Sequence, residues 1–176
     1  MSAASPAPSD LALPPEVAAV FREFRTCEFS TLARDGTPIT WPTLAFWEPA
    51  PGRFLLSTSI ALAQKAFNIR RNPRVALLFS NPTASGLARP PAVLVQGDAT
   101  APDEVLTSVR GFEDKLQLVF ERQPASGMYS SNRVMRWLFD WYYMRLGIVI
   151  TPRRIRWWPE GDFLAAPREV EVPGVG

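Results

Sequence analysis

Five short segments typical of β-strands lie within the first hundred residues, and the first three are joined by short turns. Asp35-Gly36 separates two of them and is a strong hairpin signal, because both positions tolerate positive φ. Strands joined by such short turns pair antiparallel. The predicted strands are Glu28–Ala33, Thr37–Trp47, Arg53–Thr58, Arg74–Ser80 and Ala92–Thr100, followed by a last strand or strand pair at Leu146–Thr151 and Arg153–Trp158.

Two residues inside these strands predict irregular pairing. Pro42 has no N–H to donate to a ladder, so its strand is predicted to be an edge or to bulge there. Gly97 marks a bulge in the fifth strand.

Helical periodicity is confined to four segments. Helices are predicted from Pro14-Pro15 to near Arg25, and over Ile60–Arg71, Pro102–Arg122 and Asn132–Arg145. About six mostly antiparallel strands with few helices predict an α+β fold, a small barrel with peripheral helices.

The amino-acid composition excludes whole classes of site. The 176 residues contain no His and a single Cys, Cys27. This excludes imidazole acid–base pairs and Cys-rich metal sites, whereas carboxylate-only metal sites and carboxylate acid–base chemistry stay open. No metal centre is predicted, and the reactive chemistry of an enzyme is expected to belong to a bound cofactor. Cys27 itself is expected to be a small buried thiol.

Length and hydropathy predict one domain over residues 14–159, after a disordered lead-in at 1–13 and before a tail at 160–176. Neither a signal peptide nor a clean apolar span is visible, so a cytoplasmic protein without membrane contact is expected.

The clearest candidate site begins where the third strand ends. Ser57 and Thr58 lead into a short helix that carries Lys65, Asn68 and Arg70. Hydroxyls, helix-start N–H groups and an ammonium suit a phosphate. The alternative is a solvated helix face with a Ser/Thr cap.

A second candidate is the segment Trp41-Pro42-Thr43-Leu44. Proline leaves backbone groups unpaired, and these could bond a planar ring. The alternative is a plain edge strand.

The third feature is an aromatic and basic stretch from Trp137 to Trp158. It suits a nucleic-acid surface, an amphipathic membrane-surface helix, or an aromatic core with a dimer interface. The last is favoured because Asp140, Glu160 and Asp162 offset the arginines.

These segments, in this order, resemble the pyridoxamine 5′-phosphate oxidase-like superfamily of flavin-binding split barrels. The stretch from Lys65 to Val75, with Asn68 and Asn72-Pro73-Arg74 at fixed spacing, carries most of the resemblance. Other matching stretches are Glu28–Ala33, Trp41–Phe46, Phe54–Ser59, Val93–Ala99 and Ile150–Pro159.

The resemblance implies a Greek-key-like split β-barrel that forms a homodimer, with FMN or the deazaflavin coenzyme F420 at the subunit interface. It further implies that Lys65 meets the cofactor phosphate beside Ser57 and Thr58, with Asn68 and Arg70 as helpers. Pro42, Thr43 and Leu44 would face the flavin ring edge, and Trp157 would complete the cleft from the partner chain. Vitamin B6 oxidation is doubtful, because the family's substrate-binding His is missing.

The predicted function is therefore a flavin- or deazaflavin-dependent oxidoreductase that transfers a hydride to or from a small organic substrate. The alternative is a non-catalytic module that binds a flavin or another anionic ligand, or a nucleic-acid-binding module built on the C-terminal arginines. The first interpretation predicts no nucleic-acid partner.

Overall fold

The computed structural model describes residues 11–103, 105–106 and 145–172. Its strands are β1 (Cys27–Leu32), β2 (Pro38–Thr43), β3 (Phe46–Glu48), β4 (Arg53–Ser59), β5 (Arg74–Phe79), β6 (Ala92–Thr100), β7 (Val105–Leu106), β8 (Arg145–Trp158) and β9 (Arg168–Val170). Two α-helices lie in this part of the chain, α1 (Pro15–Glu23) and α2 (Gln64–Arg71), and a 3₁₀ turn over Ile60–Leu62 precedes α2.

All strands join one antiparallel sheet in the order β2-β1-β5-β6-β8-β4-β3, with β7 and β9 added alongside β8. Three of the nine strands have only two or three residues, so the longer strands number six. The α+β split-barrel prediction is therefore confirmed.

An aromatic cluster shows how far the sheet curls. Phe21 of α1 lies 5.3 Å from Trp47 of β3, 4.8 Å from Phe54 of β4 and 5.2 Å from Phe79 of β5, measured between ring centroids. Since β3 and β5 are far apart in the strand order, one side chain reaches both only because the sheet bends around it. Phe21, Phe54 and Phe79 are almost fully buried and form the core at this point.

The hairpin between β1 and β2 follows from the Asp35-Gly36 signal. Gly36 has a φ of +85°, which a residue with a Cβ rarely adopts. The Asp35 carboxylate accepts a hydrogen bond from the Thr37 N–H at 3.0 Å, an Asx turn that also lowers the pKa of Asp35. The predicted turn is confirmed.

The single strand predicted over Thr37–Trp47 is wrong. Leu44 and Ala45 interrupt it, and the halves β2 and β3 lie at opposite ends of the sheet order. Period-2 patterning continues through the break, so the sequence gives no local sign that the chain leaves one sheet edge for the other. Within β2 the pairing with β1 is regular, including Glu28 opposite Pro42, so Pro42 lies on an edge strand and not in a bulge.

The bulge predicted at Gly97 is confirmed, and it explains the glycine. The β6–β8 register shifts between Gln96 and Gly97, and a Cβ on Gly97 would lie 2.4 Å from the Thr151 carbonyl oxygen. Opposite it, Leu146–Trp158 belongs to one continuous strand that passes through Pro152.

Two helix boundaries also need correction. Val105–Leu106, predicted to lie in a helix from Pro102, forms β7 against the start of β8. Arg145, predicted to end a helix, is the first residue of β8. Pro102 and Asp103 are not helical, and the other residues of those two predicted helices lie outside the described residues. In the segment predicted as a tail, Arg168–Val170 forms β9.

A candidate phosphate and flavin site at Lys65

The side chain of Lys65 lies where α2, β2 and β8 meet. Its ammonium is 5.1 Å from the ring centroid of Trp41, a cation–π contact with β2. Lys65 is half-buried, and burial lowers its pKa. The positive charge of Arg145, the first residue of β8, lowers that pKa further.

Arg145 connects the lysine to β4. Its guanidinium donates to the Ser57 hydroxyl at 3.4 Å, a long hydrogen bond. Within the described part of the chain, no carboxylate lies within ion-pairing distance of Lys65. Burial and the charge of Arg145 both disfavour the charged form of Lys65, so an anion beside the ammonium would be stabilising.

The predicted residues Pro42, Thr43 and Leu44 follow Trp41 directly. Side chains two apart on a strand share a face, so Thr43 lies on the face of Trp41 while Pro42 is exposed on the other face. Leu44 lies in the link between β2 and β3. As an edge strand, β2 has backbone groups that no described strand pairs with, available to a planar ligand.

The hydroxyl of Thr58 is engaged within the chain. It is buried and donates to the Leu62 carbonyl oxygen at 2.9 Å, which fixes the 3₁₀ turn before α2. Thr58 therefore shapes the turn that leads to Lys65.

Asn68 holds α2 against the sheet. It is fully buried, and its amide donates to the Thr31 hydroxyl of β1 at 2.9 Å. Its carbonyl oxygen accepts hydrogen bonds from Gln64 and Arg71 of the same helix. These contacts fix the position of the helix that carries Lys65.

Arg70 ties the other side of α2 to the segment after β6. It donates to the carbonyl oxygens of Ala101 at 2.7 Å and Pro102 at 2.9 Å, and it pairs with Asp103. Its donors are thus used to anchor the helix.

Trp157 lies far from the Lys65 cluster within one chain. It is buried, and Arg168 of β9 lies 4.9 Å from its ring centroid. It lies twelve positions after Arg145 on β8, a strand path of roughly 40 Å at ~3.3 Å per residue. Its neighbour Trp158 is only partly buried and contacts Phe163.

The structure therefore brings Lys65 to Trp41 and to the charge of Arg145, which in turn contacts Ser57. Thr43 shares the β2 face of Trp41. Trp41 was visible in the sequence as part of the Pro42 segment. Arg145 was not assigned to the site, because its contact depends on β8 pairing with β4 across 88 residues of sequence.

Two further observations concern metal-binding clusters and membrane-spanning helices among the described residues. Among the described residues, no three His, Cys, Asp or Glu side chains gather closely enough to hold a metal ion. The helices described here are also too short or too polar to cross a membrane.

Comparison with known structures gives the same fold. A conserved hypothetical protein of Mycobacterium tuberculosis is 24% identical with a TM-score of 0.55, over 94% of this chain and 96% of that one. General stress protein 26 of Bacillus anthracis is 17% identical with a TM-score of 0.54, over 89% and 96%. An F420 reductase is 17% identical with a TM-score of 0.53, over 82% and 98%.

No curated protein sequence matches the chain significantly. The family model for pyridoxamine 5′-phosphate oxidase matches residues 13–134, which is more than half of the chain. The protein is therefore a member of the pyridoxamine 5′-phosphate oxidase family.

Proposed function

We propose that the protein is an oxidoreductase that binds FMN or F420 beside Lys65 and transfers a hydride between that cofactor and a small organic substrate. The observation that carries this proposal is half-buried Lys65, which packs on Trp41 beside the positive charge of Arg145 and has no described carboxylate within ion-pairing distance. Family membership and the fold shared with an F420 reductase support it.

The residues fit the phosphate that both cofactors carry. Lys65 supplies a compact ammonium, Arg145 a planar set of donors, and Ser57 a hydroxyl. Binding an anion there would remove the repulsion between the two cations and raise the pKa of Lys65 towards its ordinary value.

The ring would lie along β2. Backbone groups from Pro42 to Leu44 supply hydrogen bonds to the ring edge, and Trp41 keeps water from the ammonium below it. When bound, either cofactor supplies the hydride chemistry, so the chain needs no imidazole. Thr58 and Asn68 act by positioning α2, and Arg70 anchors it at its far end.

We also propose that a second copy of the chain covers this site. Leu62 and Phe67, just before and after Lys65, are large apolar side chains left exposed. At the far end of β8, Trp158 is better placed than buried Trp157 to supply an aromatic wall to another chain. Light scattering at micromolar concentration checks this, since a monomer would contradict the shared site.

The nucleic-acid alternative is weakened by how the β8 arginines are used. Arg154 forms a two-point ion pair with Glu169 at 2.8 Å, and Arg156 donates to Gln96. Such engaged donors are poorly available to a phosphate backbone. Retention on DNA or RNA that falls steeply with salt would revive this alternative.

The experiment is a titration of the purified protein with FMN and with F420, followed by visible absorbance. We expect one of them to bind, and Lys65→Met to weaken its affinity by about tenfold or more, the loss expected for one charge-assisted hydrogen bond. Arg34→Met, which removes a positive charge from the exposed β1–β2 turn, is the matched control and should bind normally.

Failure of both cofactors to bind would reject the proposal. Binding without any reduction or reoxidation of the cofactor by added substrates would favour the non-catalytic module instead.

A further inference from the structure

A second group of cations surrounds a cavity on β5, β6 and β8, away from Lys65. The cavity has a volume of about 330 Å³ and is lined by Arg74, Val75, Gln96, Gly97, Arg153 and Arg154. Arg154 lies nine positions after Arg145 on β8, roughly 30 Å of strand at ~3.3 Å per residue. It is therefore a different place from the proposed cofactor site.

The bulge at Gly97 creates this cavity. The register shift leaves Arg153 as an extra residue of β8, between Pro152, which pairs with Gly97, and Arg154, which pairs with Gln96. Arg74 lies opposite Asp98 on the neighbouring strand β5. Three guanidinium groups from two strands therefore converge where a regular ladder would have spaced them evenly.

The arginines outnumber the carboxylates that neutralise them. Arg74 and Arg153 share the single carboxylate of Asp98, at 3.4 and 3.5 Å, which are distances too long for strong hydrogen bonds. One oxygen of Asp98 is buried without a hydrogen bond partner among the described residues. The pair Arg74 and Arg153 thus keeps most of its N–H donors and one uncompensated positive charge.

Arg156 lies next to the cavity lining and contacts Gln96. It donates to the side-chain oxygen of Gln96 at 3.1 Å, while its Nε is buried with no acceptor in the described part of the chain. Arg154, by contrast, is matched by Glu169. Counting the three lining arginines, Arg74, Arg153 and Arg154, against Asp98 and Glu169 leaves a net charge of +1.

We propose that this cavity binds the phosphate group of a phosphorylated small molecule. A phosphomonoester carries about −1.5 to −2 charges at pH 7, which is opposite in sign to the excess charge of the cavity, and its oxygens suit the planar donors of arginine. The volume is near the lower end of the range for small-molecule sites, roughly 300–1,000 Å³, so a compact ligand is indicated.

The test measures ribose 5-phosphate binding by isothermal titration calorimetry, with ribose as the phosphate-free control. Wild-type protein should bind the ester and not the sugar. Arg74→Gln with Arg153→Gln should weaken binding by at least about tenfold, since two charge-assisted donors are lost. Arg34→Gln with Arg89→Gln removes the same charge from exposed positions elsewhere and should bind like the wild type.

Two further variants control for misfolding of the double variant and for binding at the proposed cofactor site. Arg153→Gln alone leaves Asp98 paired with Arg74 and should still weaken binding if the double variant does not fold. Lys65→Met removes the proposed cofactor anchor and should leave ribose 5-phosphate affinity unchanged, so failure of one site is distinguishable from failure of the other.

The possible outcomes distinguish the source of the phosphate and show whether the site exists. Equal affinity for inorganic phosphate would identify free phosphate as the ligand, and tighter binding of the ester would identify a phosphorylated metabolite; both support the site. Loss of binding in Lys65→Met alone would overturn it. An equal loss of ribose 5-phosphate binding in the two double variants would also overturn it. So would an Arg74 and Arg153 double variant that changes its oligomeric state but binds phosphate like the wild type.

Discussion

Asn68→Ala is expected to destabilise the fold strongly, because Asn68 is buried and joins α2 to β1. Truncation leaves the buried hydroxyl of Thr31 without its donor, which costs about 1–3 kcal/mol. The vacated volume adds about 1 kcal/mol. Gln64 and Arg71, the other partners, are exposed and can bond to water, so their loss adds little.

The sum is about 2–4 kcal/mol in the free energy of unfolding, or a melting temperature lower by roughly 5–15 °C for a chain of this length. Urea unfolding of cofactor-free protein, followed by tryptophan fluorescence, measures it. Gln64→Ala removes a hydrogen bond on the exposed side of the same helix and should cost under about 0.5 kcal/mol. If Asn68→Ala unfolds like the wild type while cofactor affinity falls as far as in Lys65→Met, Asn68 contacts the cofactor and its positioning role is wrong.

Three other changes have defined outcomes. Gly97→Ala should lower the free energy of unfolding, measured in urea, by about 1–3 kcal/mol, because its Cβ must displace the backbone at Thr151. A variant as stable as the wild type would show that the backbone at the bulge shifts at little cost. Cys27 should resist a thiol reagent at pH 8 until the protein unfolds, since burial and the charge of Glu28 raise its pKa; rapid labelling of folded protein would contradict this. Cofactor affinity should fall as the pH rises through the pKa of Lys65, which lies below the ordinary 10.5, because only the charged form attracts phosphate; unchanged affinity through that range in a fluorescence titration would refute the anchor.

Features of the fold that depend on neighbouring residues were predictable from the sequence. Gly36 marks a turn because its positive φ is rarely adopted by a residue with a Cβ, and Gly97 marks a bulge because glycine inside a strand is typical of one. Pro42 marks an edge strand because it lacks an N–H. The break at Leu44 was not predictable, since the destination of β3 at the other end of the sheet is set by tertiary packing of Trp47 on Phe21 and Phe54.

The candidate site also has one residue that the sequence identifies and others whose roles depend on the tertiary structure. Lys65 stands out in the sequence by residue type and position, whereas the roles of its neighbours depend on which strands meet. Asn68 and Arg70 share the helix of Lys65 but direct their hydrogen bonds to β1 and to the segment after β6. Arg145 joins Lys65 only through the β4–β8 pairing, which no short-range pattern encodes.

The central claim, that Lys65 holds a cofactor phosphate, is tested most directly by comparing FMN with riboflavin, which has the same ring without the phosphate. Fluorescence titrations of wild-type protein should give tighter binding of FMN. In Lys65→Met that preference should fall by at least about tenfold, with riboflavin affinity almost unchanged. If Lys65→Met leaves the preference for FMN intact, or weakens both ligands equally, Lys65 does not bind the phosphate and the account is contradicted.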